Sequence, residues 1–139
     1  MSGVRTRAGR SRVTAAPAEG SARERVFSQD PESVRAVRDF VGDFVRDEPH
    51  AEDALLLASE LATNAVRYGI GDFTVAVVRL DAVLRVEVCD RSPVRPTMAP
   101  PRGDADDGGR GLRIVDAVAL EWGTEPRSAG KAVWFTLPR

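Results

Sequence analysis

Apolar residues in the first half of the chain recur at the three- and four-residue spacing of helices. One set falls along a single helical face: Val34, Val37, Val41, Phe44 and Val45. Asp30 followed by Pro31 suits the start of this helix, because aspartate can cap a helix and proline lacks an N–H that the first turn leaves unpaired. The pattern predicts a helix that ends near Asp47, before Pro49.

A second helix is predicted over Ala51–Tyr68 and stops at Gly69, as helix C-termini commonly do. Its apolar arc is formed by Ala54, Leu57, Ala58, Leu61, Ala65 and Tyr68. At about 100° per residue, Glu60 and Asn64 lie one turn apart at one border of this arc. Polar side chains that face an interior need partners, so this pair either satisfies neighbouring backbone or holds a metal ion, a water or a nucleotide.

The second half of the chain carries the two-residue alternation of strands. Residues 73–80 and Val83–Asp90, joined by two residues, predict an antiparallel hairpin. Along its second strand Asp90 shares a face with Leu84, Val86 and Val88, so a carboxylate ends a strand on the side that is otherwise apolar. Glu121–Arg127 and residues 131–137 predict a second hairpin.

Residues 91–108, between the hairpins, hold four prolines and an acidic cluster and show no periodicity. Loops longer than about 12–15 residues are usually functional lids or disordered, so this segment is predicted to be a long loop of one or the other kind. The glycine-rich run at residues 108–111 then leads into a short helix. This order of elements predicts an α+β fold of two layers, with the helices on one face of a mixed, mostly antiparallel sheet.

Composition limits the protein to one domain, because 139 residues of which 42% are hydrophobic suffice for a single core. The net charge of −1 provides no strong field toward nucleic acid or an anionic membrane. Residues 1–25 differ, with six arginines against two glutamates and no apolar run typical of a signal peptide. We predict a disordered basic tail over residues 1–28 and a globular domain over residues 29–139.

The remaining compositional features favour a soluble, cytoplasmic protein. No apolar run approaches the roughly 18 residues of a membrane helix, and neither membrane association nor direct nucleic-acid binding is expected. Binding of nucleic acid through the arginine-rich tail is the weak alternative. Cys89 is the only cysteine, which fits a reducing compartment, and it is predicted to be an inert packing thiol.

Three features carry candidate chemistry, and each also has a plain structural reading. A carboxamide at residue 64 offers an oxygen to Mg²⁺, while a carboxylate at residue 60 can take a proton from a hydroxyl. For this pair in isolation the plain interpretation is favoured, in which Glu60 is solvated and Asn64 caps a neighbouring loop. Asp90 could accept a hydrogen bond from an exocyclic amine such as that of adenine, or could simply begin a turn. The glycines could let a phosphate approach a helix N-terminus, or could only lend flexibility.

Taken in order, these features resemble the Bergerat-fold GHKL ATPases over about residues 30–138. The segments SELATNAVRYG, VEVCDRSP, GGRGLRIVDAVALEWG and GKAVWFTLP are similar to the small serine-kinase anti-sigma factors and related actinobacterial ATP-binding regulators. The resemblance implies a Bergerat-type sandwich with an ATP lid. It further implies ATP and Mg²⁺ as ligands.

The resemblance also implies a role for each candidate residue. Glu60 corresponds to the general base, Asn64 to the Mg²⁺ ligand and Asp90 to the residue that contacts the adenine amine. The phosphate-binding glycines of the family correspond to Gly109 and Gly111, with Arg110 and Leu112 beside them. Kinases of this family transfer the γ-phosphoryl group of ATP to a serine of an anti-anti-sigma partner of the STAS fold, can sequester a sigma factor, and are often homodimers.

The chain departs from the family pattern at two places near Asp90. The residues after Asp90 are Arg91-Ser92-Pro93 in place of a glycine-containing turn, which predicts a stiffer entrance to the lid. Ala132 stands where a threonine that supports adenine is expected, which predicts one adenine hydrogen bond fewer. The neighbouring Lys131 is predicted to be a solvated turn residue, with contact to a phosphate as the alternative.

The sequence therefore predicts an ATP-binding regulatory serine protein kinase of the anti-sigma type. The first alternative is a non-catalytic regulator of the same fold that binds nucleotide or sequesters a partner. The second is the catalytic domain of a histidine kinase, which ranks lower because His50, the only histidine, lies in a predicted surface loop with no phosphoacceptor helix around it.

Overall fold

The computed structural model describes residues 3–6, 21–93 and 107–139. Along the described chain the elements are β1 (Gly3–Thr6), β2 (Ala22–Phe27), α1 (Glu32–Val45), α2 (Ala51–Tyr68), β3 (Phe73–Arg79), β4 (Val83–Asp90), α3 (Asp107–Val118), β5 (Glu121–Arg127) and β6 (Gly130–Pro138). The strands form one sheet in the order β1-β5-β6-β4-β3-β2, and every pairing between these strands is antiparallel. The predicted α+β fold is confirmed, but the described strands form a wholly antiparallel sheet and not the mixed sheet that was predicted.

The bounds of α2, β4 and β5 coincide with the prediction, whereas the start of α1 does not. Pro31 occupies the N-cap position of α1, and no side chain caps the helix. The Asp30 carboxylate instead accepts a hydrogen bond from the Ser28 hydroxyl at 2.8 Å. Most of the predicted lid, residues 94–106, lies outside the described residues.

Strand β2 corrects the prediction that residues 1–28 are disordered. Its backbone pairs with β3 from Ala22 opposite Val78 to Phe27 opposite Phe73. The Phe27 ring stacks on Phe73 at 5.8 Å and meets Phe40 edge-on at 5.7 Å. Residues 22–26 are exposed and mostly polar, so their composition resembles that of a disordered tail. They are nevertheless ordered, because the strand pairs with β3 and the Phe27 ring at its end is buried. Residues 7–20 of the predicted tail lie outside the described residues.

The hydrophobic core lies between the helices and one face of the sheet. Helix α2 packs between α1 and α3 and crosses β4 and β6. Its Leu57 and Leu61 are buried against sheet residues such as Val86 and Phe135, and burial of each side chain of this size stabilises the fold by about 1.5–3 kcal/mol. This packing fixes the rotation of α2 and hence the direction of its polar border.

The opposite face of the sheet carries a network of charged side chains over a buried tryptophan. The Arg85 guanidinium lies over the Trp134 ring at 4.4 Å and pairs with Glu87 at 2.9 Å. Burial acts to raise the pKa of Glu87, but the hydrogen bond from Arg85 and the charge of Arg127 outweigh it and lower that pKa. This face of the sheet lies on the side opposite the helices, and its charged side chains pair with one another.

Cys89 lies on the same outer face, beside this network. Its thiol donates to a Glu87 carboxylate oxygen at 3.4 Å. Burial, followed by the charge of Glu87, raises the pKa of Cys89 to about 12, so the thiol is protonated at neutral pH and is a poor nucleophile. This agrees with the inert thiol predicted from the sequence. Within the described residues, no helix is both long and apolar enough to span a membrane.

Candidate functional site

Glu60 and Asn64 lie on the border of α2 that faces α3, where both side chains are half-buried. Gly111 of α3 packs directly on this pair. A Cβ atom added at Gly111 would lie 2.9 Å from Glu60 Oε1 and 3.6 Å from Asn64 Nδ2. The absence of a side chain at residue 111 therefore leaves room for the carboxylate and the carboxamide beside one another.

The glycine-rich run forms the beginning of α3. Gly109 and Arg110 belong to its first four residues, whose backbone N–H groups have no partner inside a helix. Gly111 and Leu112 follow as buried residues, and Leu112 belongs to the hydrophobic core. Leu112 thus anchors the start of the helix beside α2. The expected role of Arg110 depends on its side chain, which lies outside the described part of the structure.

Asp90, the last residue of β4, forms a buried ion pair. The Lys131 ammonium donates to Asp90 Oδ1 at 2.9 Å and to Asp90 Oδ2 at 3.0 Å, and the backbone N–H of Ser92 donates to Oδ1 at 2.8 Å. The side chains of Lys131 and Asp90 are only 9% and 6% exposed. Such a pair is weak evidence for net stability, but removal of one partner would leave an uncompensated buried charge.

Two glycines fit closely around Asp90. Gly69, at the C-terminal end of α2, lies so near that an added Cβ would be 3.3 Å from both Asp90 Cβ and Cγ. Gly130, at the start of β6, has φ +148°, and a Cβ there would overlap the Asp90 carbonyl oxygen. The end of α2 thus lies against the Asp90 side chain, and the β5–β6 hairpin lies against its backbone.

The structure corrects both sequence interpretations of β6. Lys131 is not a solvated turn residue, because it is 7% exposed and lies opposite Asp90 in the strand register. Ala132 lies opposite Cys89, one position away, so its side chain points to the other face of the sheet. The residue that supports the Asp90 carboxylate is therefore Lys131, and Ala132 does not face it.

Glu60, Asn64 and Gly111 are in one cluster, and Asp90 lies at the C-terminal end of the same α2 helix, beside Gly69. The side of α2 therefore carries a carboxylate and a carboxamide next to the start of α3, whose first N–H groups have no partner inside the helix, and a second carboxylate lies beside the end of α2. Mg²⁺ in nucleotide sites uses few protein ligands together with phosphate oxygens. The donor set fits Mg²⁺ with a nucleotide, because the glycine at residue 111 lets the start of α3 approach the Glu60 carboxylate and the Asn64 carboxamide closely.

Sequence reasoning missed Lys131 and Gln29. Gln29 Nε2 donates to the carbonyls of Val66 and Gly69 at 3.1 and 2.7 Å, and its Oε1 accepts the N–H of Gly71 at 2.9 Å. It thereby fixes the turn that places Gly69 against Asp90. Nothing in the sequence marks Gln29, whereas strand register could have placed Lys131 opposite Asp90.

Comparison with known proteins identifies the family and the fold of the chain. The sequence model of the family described as histidine kinase-like ATPase domain matches residues 27–137. An uncharacterized protein of Streptomyces coelicolor is 43% identical over an alignment of 68 residues, and the match covers 45% of this chain and 65% of that protein. The chain thus spans just under two thirds of that relative.

The fold is shared with proteins of known structure. The crystal structure of the RsbU and RsbW domains of Rv1364c from Mycobacterium tuberculosis superposes with a TM-score of 0.63 at 19% sequence identity. The match covers 86% of this chain and 33% of that chain. The similarity establishes the arrangement of helices and strands.

Proposed function

Because the chain belongs to the histidine kinase-like ATPase domain family, we propose that it binds ATP and acts as a regulatory serine protein kinase of the anti-sigma type. The observation that carries this proposal is the contact of Gly111 with Glu60 and Asn64. It brings a possible base, a possible metal ligand and the start of α3 to one place. The sequence motifs, taken one at a time, do not show that these groups lie close together.

In the proposed site, each residue has one task. Asn64 would hold Mg²⁺, and the N–H groups around Gly109 and Gly111, with the Arg110 charge, would bind the phosphates. Bound Mg²⁺ would neutralise the charge that develops on the phosphoryl oxygens. Asp90 would accept the adenine amine. These residues supply positioning and electrostatic stabilisation, which provide most of the catalysis in phosphoryl transfer.

Glu60 is proposed as the general base. It would accept the proton of a serine hydroxyl of the partner as the serine oxygen bonds to the γ-phosphorus. The bond from that phosphorus to the β–γ bridging oxygen breaks, and ADP leaves with the electron pair. The phosphoserine remains on the partner, and the proton remains on Glu60 until it exchanges with solvent.

The partner proposed is an anti-anti-sigma protein of the STAS fold, with a sigma factor as a second partner that is sequestered. A homodimer and a cytoplasmic location belong to the same proposal. Neither a membrane nor nucleic acid is assigned a role.

The test is incubation of the purified protein with γ-labelled ATP, Mg²⁺ and STAS-fold proteins encoded near its gene. We expect label on one serine of a partner, and replacement of that serine by alanine should abolish it. Saturable binding of ATP without label on any partner would contradict kinase activity and favour the non-catalytic regulator.

Gly111→Ala should lower phosphoryl transfer by about ten- to a hundredfold, because the new methyl group would displace the Glu60 carboxylate. Stability should stay equal or rise by up to about 1 kcal/mol, since alanine favours a helix over glycine. Labelling assays and urea unfolding measure the two effects. The matched control is Gly42→Ala in α1, where the added Cβ would meet Leu55 Cδ2 at an ordinary 3.6 Å. Equal activity of Gly111→Ala and wild type would refute the placement of Glu60.

A further inference from the structure

Lys131 has all of its hydrogen-bonding capacity engaged around Asp90. A lysine ammonium has three N–H donors. Its Nζ lies 2.9 Å from Asp90 Oδ1, 3.0 Å from Asp90 Oδ2 and 3.4 Å from the Ser92 carbonyl oxygen. With three acceptors for three donors, Lys131 keeps no donor for a phosphate group. Lys131 can therefore affect the binding of a ligand only by holding the Asp90 carboxylate in place.

The two oxygens of Asp90 are not equivalent. A carboxylate offers about four acceptor positions, two on each oxygen. Oδ1 receives both the Ser92 N–H and Lys131, whereas Oδ2 receives Lys131 alone within the described part of the chain. Counted over the residues that the structure describes, one acceptor position is left, and it lies on Oδ2. Because the carboxylate is buried and held from two sides, that position has a fixed direction.

We propose that Lys131 is a positioning residue for base selection, which leaves Asp90 a single acceptor position on Oδ2 for the exocyclic amine of a 6-aminopurine nucleotide. A 6-oxopurine would direct a carbonyl oxygen at the same position, and two acceptors repel one another. A site built to hydrogen-bond a donor strongly rejects an analogue that lacks it. This inference rests on the proposed ATP site and names the residue that sets its selectivity.

The experiment measures dissociation constants of Mg-ATP and Mg-ITP by calorimetry, for the wild type and for Lys131→Met. The wild type should prefer ATP by about tenfold or more, as expected for a hydrogen bond to a charged group. In Lys131→Met this preference should fall to about threefold or less, because the carboxylate loses the partner that orients it. A purely structural defect, or a lost phosphate contact, would weaken both nucleotides equally, and an unchanged ratio would overturn the proposal.

A second pair of variants keeps the test valid if Lys131→Met does not fold. Asp90→Asn and Asp90→Asn/Lys131→Met should bind each nucleotide with equal affinity to within about twofold, because Lys131 acts only through Asp90. Further weakening of both nucleotides in the double variant would show an independent role for Lys131 and overturn the proposal. If the wild type binds neither nucleotide at millimolar concentration, the proposed ATP site itself is wrong, a result distinct from binding with an unchanged ratio.

Discussion

Replacement of Glu60 by glutamine should reduce phosphoryl transfer to the partner serine by about 10²–10⁴-fold, the usual contribution of a general base. Glutamine keeps the size of the side chain but cannot accept the serine proton at neutral pH. The affinity for Mg-ATP should stay within about threefold of the wild type, because the proposed nucleotide contacts come from Asn64, Asp90 and the start of α3. Single-turnover labelling and calorimetry separate the two effects.

Glu52→Gln is the matched control, since it makes the same chemical change on the exposed side of the same helix. It should leave both transfer and binding unchanged. Transfer by Glu60→Gln at the wild-type rate would show that another group accepts the proton, and it would refute the role given to Glu60. Loss of ATP binding in this variant would instead indicate that Glu60 holds the nucleotide.

Gly130→Ala should lower the free energy of unfolding by about 3 kcal/mol or more. Gly130 has φ +148°, which L-residues rarely adopt, and an added Cβ would also lie 2.6 Å from Arg91 Cα and overlap the Asp90 carbonyl oxygen. These neighbours are backbone atoms, so no side-chain rotation relieves the overlap. The hairpin would have to move away from β4, and the Asp90–Lys131 pair would move with it. Chemical denaturation measures the change.

Gly71→Ala separates the two causes of that loss. Gly71 also has positive φ, +71°, but a Cβ there would meet only Arg91 Nη1, at 3.7 Å. Its substitution should therefore cost only about 1–2 kcal/mol, the price of the left-handed conformation alone. Equal losses in the two variants would show that the close approach of Gly130 to Asp90 does not matter for stability.

Local signals were sufficient to predict the centre of the fold. The periodicity of α2 is strong and its last residue is followed by glycine, so both its bounds and the direction of Glu60 and Asn64 could be derived from sequence. The alternation in β4 likewise placed Asp90 at a strand end on the core side. In each case a few consecutive residues determine the outcome.

Features that depend on distant segments could not be predicted in the same way. Strand β2 is polar and exposed. It is ordered because its backbone pairs with β3 and because the Phe27 ring packs against Phe40 and Phe73. The meeting of Lys131 with Asp90 depends on the register between two strands 41 positions apart. A shift of one residue in that register reverses which side chain faces Asp90, so local sequence alone does not distinguish Lys131 from Ala132 at this place.

A calorimetric titration of Mg-ATP into the wild type and into Asn64→Ala tests directly whether the proposed site binds a magnesium nucleotide. We expect saturable binding of one nucleotide per chain by the wild type, and affinity at least about tenfold weaker in Asn64→Ala, which loses the proposed Mg²⁺ ligand. Both proteins should be folded, because alanine is favourable at a helix position. Absence of binding to the wild type at millimolar Mg-ATP, or equal affinity of the two proteins, would contradict the assignment of this site.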